Sequence, residues 1–133
     1  MRVVCDTNIL ISGILFGGKP REILHLCSSG TLDNNISPAI LKEVENVLLR
    51  PKFGLHDEQV YEIIRLFRDT FTLVTPESHL TVITTDPDDN RILEAAHAAK
   101  ANAIISGDAH LLDLAAWNNI PIVSADTFLK NSF

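Results

Sequence analysis

Val3-Val4-Cys5-Asp6-Thr7-Asn8-Ile9-Leu10-Ile11 begins as a short apolar run and breaks into a carboxylate. Runs of this kind, rich in β-branched residues, read as a strand buried on both faces of a parallel sheet. Asp6 then stands at the strand's carboxyl end, the edge where open α/β sheets place their ligand crevices. A carboxylate there loses hydration and needs a cation or hydrogen-bond donors in return. Asp is also a common helix N-cap, and a helix beginning near Thr7 would use Asp6 that way. On this stretch alone, cap and site weigh about equally.

Working outward, residues 7 to about 16 read as a helix ended by Gly17-Gly18. Lys19-Pro20 starts a second helix, with Ile23, Leu24, Leu26 and Cys27 on its apolar side. Residues 31–36 make a short strand, and Ser37-Pro38 supplies the cap and first position of the next helix. In that helix Ile40, Leu41, Val44, Val47 and Leu48 form one face. At about 100° per residue, Glu43 and Glu45 each flank the face by about 40°, so periodicity leaves open which of them points toward the sheet. After Arg50-Pro51-Lys52-Phe53-Gly54, a helix from His56 to about Asp69 carries Val60, Ile63, Ile64 and Phe67 on its core side. Residues 71–74 read as a strand and 82–84 as a possible edge strand or extended segment.

The second informative stretch is Asp86-Pro87-Asp88-Asp89-Asn90, followed by Arg91-Ile92-Leu93-Glu94-Ala95-Ala96. Pro87 suits a first helical position, which makes Asp86 a candidate cap, and acids in a first turn complement the helix dipole. Asp89 does more: it precedes Ile92, Leu93 and Ala96 by three, four and seven residues and so continues the stripe that faces the sheet. Asn90 falls outside that stripe, and Asp88 is marginal. Residues 103–106 form another buried strand, with Asp108 just past its end. Residues 110–117 read as helix and 121–123 as a last strand, followed by Asp126. Strands alternating with helices give an α/β fold with a central parallel sheet and right-handed crossovers.

A chain of 133 residues fits a single domain over 1–133 and can bury a core without disulfides. Cys5 and Cys27 read as small buried hydrophobes of a reducing compartment. With no signal peptide and no apolar run near the ~18 residues of a membrane span, a cytoplasmic protein is expected. A net charge of −6 argues against a strong general nucleic-acid binder, although a chain that gathers carboxylates around divalent metal becomes acidic for that reason.

Several α/β chemistries are excluded. There is no GxGxxG and no GxSxG. Gly13 to Lys19 fits GxxxxGK, but Pro20 stands where the Mg²⁺-binding hydroxyl would be, and the glycines end a helix rather than follow a strand. His25, His56, His79, His97 and His110 show no zinc-ligand spacing. What remains is Asp6, Asp89 and Asp108 at element ends converging on one sheet edge, with Glu43 or Glu45 added from a helix. Hard oxygen donors of this kind suit Mg²⁺ or Mn²⁺. Two such ions about 4 Å apart activate water and stabilise the leaving oxygen in phosphodiester cleavage.

The ordered segments VVCDTNIL, SPAILKEVENVL, DPDDNRILEAA, AIISGDAHLL and IPIVSADTFL resemble the PIN domain (PilT N-terminus) family, and within it the toxins of type II toxin–antitoxin systems. The resemblance spans nearly the whole chain. It implies a three-layer α/β/α sandwich, a Mg²⁺- or Mn²⁺-dependent ribonuclease acting on RNA, a cognate antitoxin as partner, and pairing into a homodimer. By that resemblance the four catalytic and metal-holding acids fall on Asp6, Glu43 rather than Glu45, Asp89 and Asp108, with Thr7, Asn8, Asn90 and Ser106 as supporting polar residues. Ser106 stands where relatives often have Thr, and Asn90 where many carry another acid, so Asp88 or Asn90 competes with Asp89 for the third position. Phe53, Leu55, Ile64 and Phe67 are candidates for a dimer or antitoxin contact, with core packing the alternative; Lys19, Arg21, Arg50 and Lys52 are candidates for the RNA backbone. A catalytically silent module that binds RNA or protein is the competing reading, and it gives no reason for four mutually repelling carboxylates. A dehalogenase-like phosphatase would want a second Asp two positions after the first, where this chain has Asn8.

Overall fold

The computed structural model describes residues 1–84 and 86–132. Its strands are β1 (Arg2–Cys5), β2 (Asp33–Ile36), β3 (Thr72–Leu73), β4 (Ala103–Ile105), β5 (Ala116–Trp117) and β6 (Ile120–Val123). Its helices are α1 (Thr7–Leu15), α2 (Gly18–Ser28), α3 (Pro38–Leu48), α4 (Asp57–Thr70), α5 (Asp89–Ala99), α6 (Ala109–Leu114) and α7 (Ala125–Ser132), with a 3-10 turn at Pro51–Phe53. The sheet order is β3-β2-β1-β4-β6-β5. All neighbours pair parallel except β5 with β6, so the sheet is mostly parallel, with one antiparallel edge.

β1 leads to β2 in one direction and β4 leads to β6 in the other. Right-handed crossovers therefore put α1 to α4 on one face and α5 and α6 on the opposite face. α5 packs on β1, β2 and β4, while α7 returns to pack against α2, which gives three layers around the sheet. Val3, Val4, Ile104 and Ile105 of the central strands are completely buried. So are Leu10, Ile40, Val44 and Leu93 of the helices that cover them. α1 and α2 approach closely at Gly13, where an added Cβ would lie 2.5 Å from Leu24 Cδ1.

Four expectations are corrected. Residues 110–117 are not one helix: α6 stops at Leu114, and Trp117 lies in β5. The cause is the Asn118-Asn119 pair, whose φ values of 52° and 65° build the two-residue turn of a β-hairpin. Val82 to Thr84 form no strand, because the ladder contacts of buried Ile83 are supplied by a side chain: Asn90 Oδ1 accepts from Ile83 N (2.8 Å) and Asn90 Nδ2 donates to Ile83 O (2.7 Å). Asn90, expected off the buried stripe, is 2% exposed for that reason. Asp86 is not the cap of α5; residues 86–88 form a turn whose carbonyls take the amides of Asp89, Asn90 and Arg91.

Candidate metal centre

The crevice lies where the crossovers diverge, at the carboxyl ends of β1 and β4. Asp6 is buried there, 3% exposed, and its two oxygens do different work. Oδ1 accepts from Ile9 N at 2.8 Å and caps α1. Oδ2 accepts a short hydrogen bond from Ser106 Oγ and a second, at 3.2 Å, from Gly107 N. Cap and site are thus roles of one carboxylate. Ser106 Oγ also accepts from Asp108 N (2.9 Å), tying the two strand ends together. Burial raises the Asp6 pKa, opposed by these donors, and the Asp108 charge raises it further.

Asp108 caps α6, with Oδ1 accepting from His110 N (2.8 Å) and Leu111 N (3.2 Å). Asp89, in the first turn of α5, aims into the same space. One carboxylate oxygen from each of Asp86, Asp89 and Asp108 lies within 4.8 Å of the others. Asp89 Oδ2 is buried without a hydrogen-bond donor. Its close neighbour is the Asp108 carboxylate, which can share a hydrogen bond only if one of the pair is protonated. Burial first, then Asp108, and then the charges of Asp86 and Asp6 push the Asp89 pKa up to about 8.

Glu43 lies on α3, half-buried, facing Thr7. Burial and the charge of Asp88 raise its pKa, the Thr7 hydroxyl lowers it, and Asp86 and Asp6 add smaller raising contributions. Glu45 points elsewhere, pairing with Lys42 at 3.9 Å and lining the groove between α3 and α4. The wheel's ambiguity is therefore resolved in space: Glu43 faces Thr7 and the acids of the crevice, and Glu45 faces the α3–α4 groove. Thr7 Oγ1 is buried without a full hydrogen bond. Asn8 is exposed on α1 beside the pocket.

The structure thus brings together Asp6, Glu43, Asp89 and Asp108, and adds Asp86, read from the sequence as a helix cap, and Asp88, read as a competitor of Asp89 for the third position. The available signal was that consecutive acids in a turn project on different sides, whereas in a helix only one would face the sheet. Asn90 stays out of the pocket, because all its polar atoms are spent on Ile83 and on Pro87 O (3.0 Å). Among the described residues no histidine or cysteine belongs to a metal-ready cluster. The donor set fits a hard divalent ion: crowded carboxylate oxygens, one buried and orphaned, with no soft ligand among them.

No curated protein matches the chain. The fold is similar to a chain of VapBC2 from Rickettsia felis, solved bound to a DNA fragment from their promoter. The TM-score is 0.64 at 15% identity, over 92% of this chain and 97% of the other. The PIN domain model matches residues 2–110, so a carboxylate-lined crevice on this fold has a family to which it belongs: the chain is a member of the PIN domain family.

Proposed function

We propose that the protein is a divalent-metal-dependent endoribonuclease and the toxin of a type II toxin–antitoxin pair, working as a single domain over residues 1–133 in the cytoplasm. The observation that carries the nuclease reading is the orphaned Asp89 oxygen among Asp86 and Asp108, a buried carboxylate that a hard cation would satisfy. Asp6, Asp89 and Asp108 would hold Mg²⁺ or Mn²⁺, with Glu43 and Asp86 completing the ring. Bound there, the ion supplies an activated water and charge stabilisation for phosphodiester hydrolysis.

The chain's own residues divide the remaining work. Ser106 Oγ and Gly107 N orient Asp6 Oδ2, which fixes one wall of the pocket against rotation. Asp108 is locked by two amides of α6, leaving its second oxygen for the pocket. Glu43, with its pKa raised and the Thr7 hydroxyl at its side, is placed to take a proton from an attacking water. Thr7 supports Glu43 from within, and the exposed Asn8 offers an uncharged donor suited to a scissile phosphate.

The test compares wild type with Asp6→Asn, purified identically, on single-stranded RNA. Wild type should cleave in Mg²⁺ or Mn²⁺, stop with chelator and fail in Ca²⁺, whose looser coordination suits the geometry poorly. Asp6→Asn and Asp108→Asn should lose at least about a hundred-fold in rate. Equal cleavage by both preparations would assign the activity to a contaminant. For the antitoxin, the supporting observation would be a small reading frame overlapping upstream. Pairing into a homodimer is part of the same proposal, and a monomeric mass by light scattering at high concentration would count against it.

A further inference from the structure

Phe16 is 71% exposed, more than any other large apolar side chain among the described residues. It is not alone. Its ring centre lies 6.3 Å from that of Phe53, which is partly buried against the core and so anchors the pair. Lys52 Nζ sits 5.1 Å from the centre of the Phe53 ring. Arg21 spends Nε on Gly13 O (2.8 Å) and Nη2 on Ile14 O (3.0 Å), which pins its guanidinium beside Gly17 with no acid on it. Arg50 and Lys52 have no ion pair among the described residues, and Lys19 has only the exposed contact to Glu22 at 3.7 Å. In a chain of net charge −6, this corner gathers four cations around two aromatic rings.

The corner is linked to the acid pocket. Thr7 faces Glu43 at one end of α1, and Phe16 meets Phe53 beyond the other, so α1 and α3 run side by side in the same direction. Across the nine residues of α1 that separation is about 14 Å. Between the ends, α1 presents Asn8 and Ser12 one turn apart and carries no charge, while α3 presents Glu43 and Val47 one turn apart and the chain leaves it at Arg50. A polyanion entering at the cationic corner therefore passes the uncharged Asn8 and Ser12 of α1 before it reaches the carboxylates.

We propose that Phe16 and Phe53, with Arg21, Arg50 and Lys52, form a base-stacking platform for single-stranded RNA, from which the strand runs along α1 toward the pocket. Exposed aromatic faces stack on any base, and fixed cations follow the backbone, the pairing that single-strand binders use. The direction of the strand rests on the nuclease reading; the platform itself does not.

Binding is measured by fluorescence anisotropy of a labelled oligouridylate of about 12 nucleotides, in excess chelator so that no strand is cut. Phe16→Ala, a surface change, should weaken binding at least about five-fold, and Phe16→Tyr should restore it. Arg50→Ala with Lys52→Ala should flatten the salt dependence by about 1.4 in the log–log slope, about 0.7 for each phosphate no longer neutralised. The same RNA as a duplex should bind wild type and Phe16→Ala alike. The proposal is overturned if wild type fails to bind the single strand, or if Phe16→Ala binds it as wild type does. It is equally overturned if Phe16→Ala changes only self-association by sedimentation, which would make the corner a protein contact. Loss of cleavage in Mn²⁺ with the anisotropy results intact would sink the nuclease reading and leave the platform standing.

Discussion

Asp6 shows how one residue answers two demands. Its Oδ1 satisfies an orphan amide of α1 while its Oδ2 is held by Ser106 and Gly107, so the carboxylate is aimed before any ion arrives. Asp89 carries the opposite condition, an oxygen without a donor and a pKa pushed to about 8. The sign of its effect on stability follows directly. The folded chain keeps this proton up to about pH 8, the unfolded chain releases it near 3.8, and the native state therefore binds more protons between the two. Protonated Asp89 contributes stability at low pH that is lost as pH rises through that window, and Asp6 and Glu43, both raised, act in the same sense. In chelator the melting temperature should fall from pH 5 to pH 8, and Asp89→Asn should flatten the fall; calorimetry showing a rise would contradict the pocket's geometry. Divalent ion should add more at pH 8 than at pH 5, because it displaces the retained proton.

At the scale of elements, the stretch around Leu80 and Ile83, ahead of α5, is held by side chains rather than by strand pairing. Glu94, 6% exposed, accepts from Leu80 N (2.7 Å) and pairs with Arg91 at 2.9 Å, while Arg91 Nη2 also donates to Leu80 O (3.0 Å). Asn90 does the same for Ile83. That clamp places Asp86, Asp88 and Asp89 around the pocket. It also predicts that Asn90→Asp, although it adds an acid next to Asp89, will harm this chain. An ionised carboxylate cannot donate to Ile83 O, so that carbonyl loses its partner at about 1–3 kcal/mol if left buried, while Pro87 O keeps the backbone amide of residue 90. Urea unfolding should show a destabilisation of at least about 1 kcal/mol, and a variant as stable as wild type would mean the segment is held otherwise.

At the scale of the molecule, the proposed centre ties stability to metal. If Mg²⁺ or Mn²⁺ binds only the folded form, it should raise the melting temperature by mass action. Asp6→Asn should lose most of that increment while keeping the cap on Ile9 N, since the amide oxygen remains an acceptor. An equal increment in the variant would mean that the ions bind elsewhere. The acidic balance of −6 is then local in origin: carboxylates crowd one edge, and cations collect at the far end of α1 and α3. Ile64 and Phe67, considered for an interface, are 7% and 2% exposed and belong to the core; Phe53 and Leu55 are only partly buried.

Much of this was legible in the chain itself. Strands without polar alternation must be buried on both faces, which dictated a mostly parallel sheet, and acids following such strands had to meet at its carboxyl edge. Asp6 and Asp108 were therefore readable as a pair, and the stripe through Ile92, Leu93 and Ala96 pointed Asp89 toward them. The tertiary structure decided what depends on neighbours distant in sequence. Glu43 differs from Glu45 only because Thr7 packs on one side of α3 and α4 on the other. Asp86 left its capping role because Asn90 holds Ile83 and turns the preceding loop inward, an arrangement no periodicity encodes. Local pattern sets which face a residue takes; only packing sets what stands opposite that face, and a metal centre is built from what stands opposite.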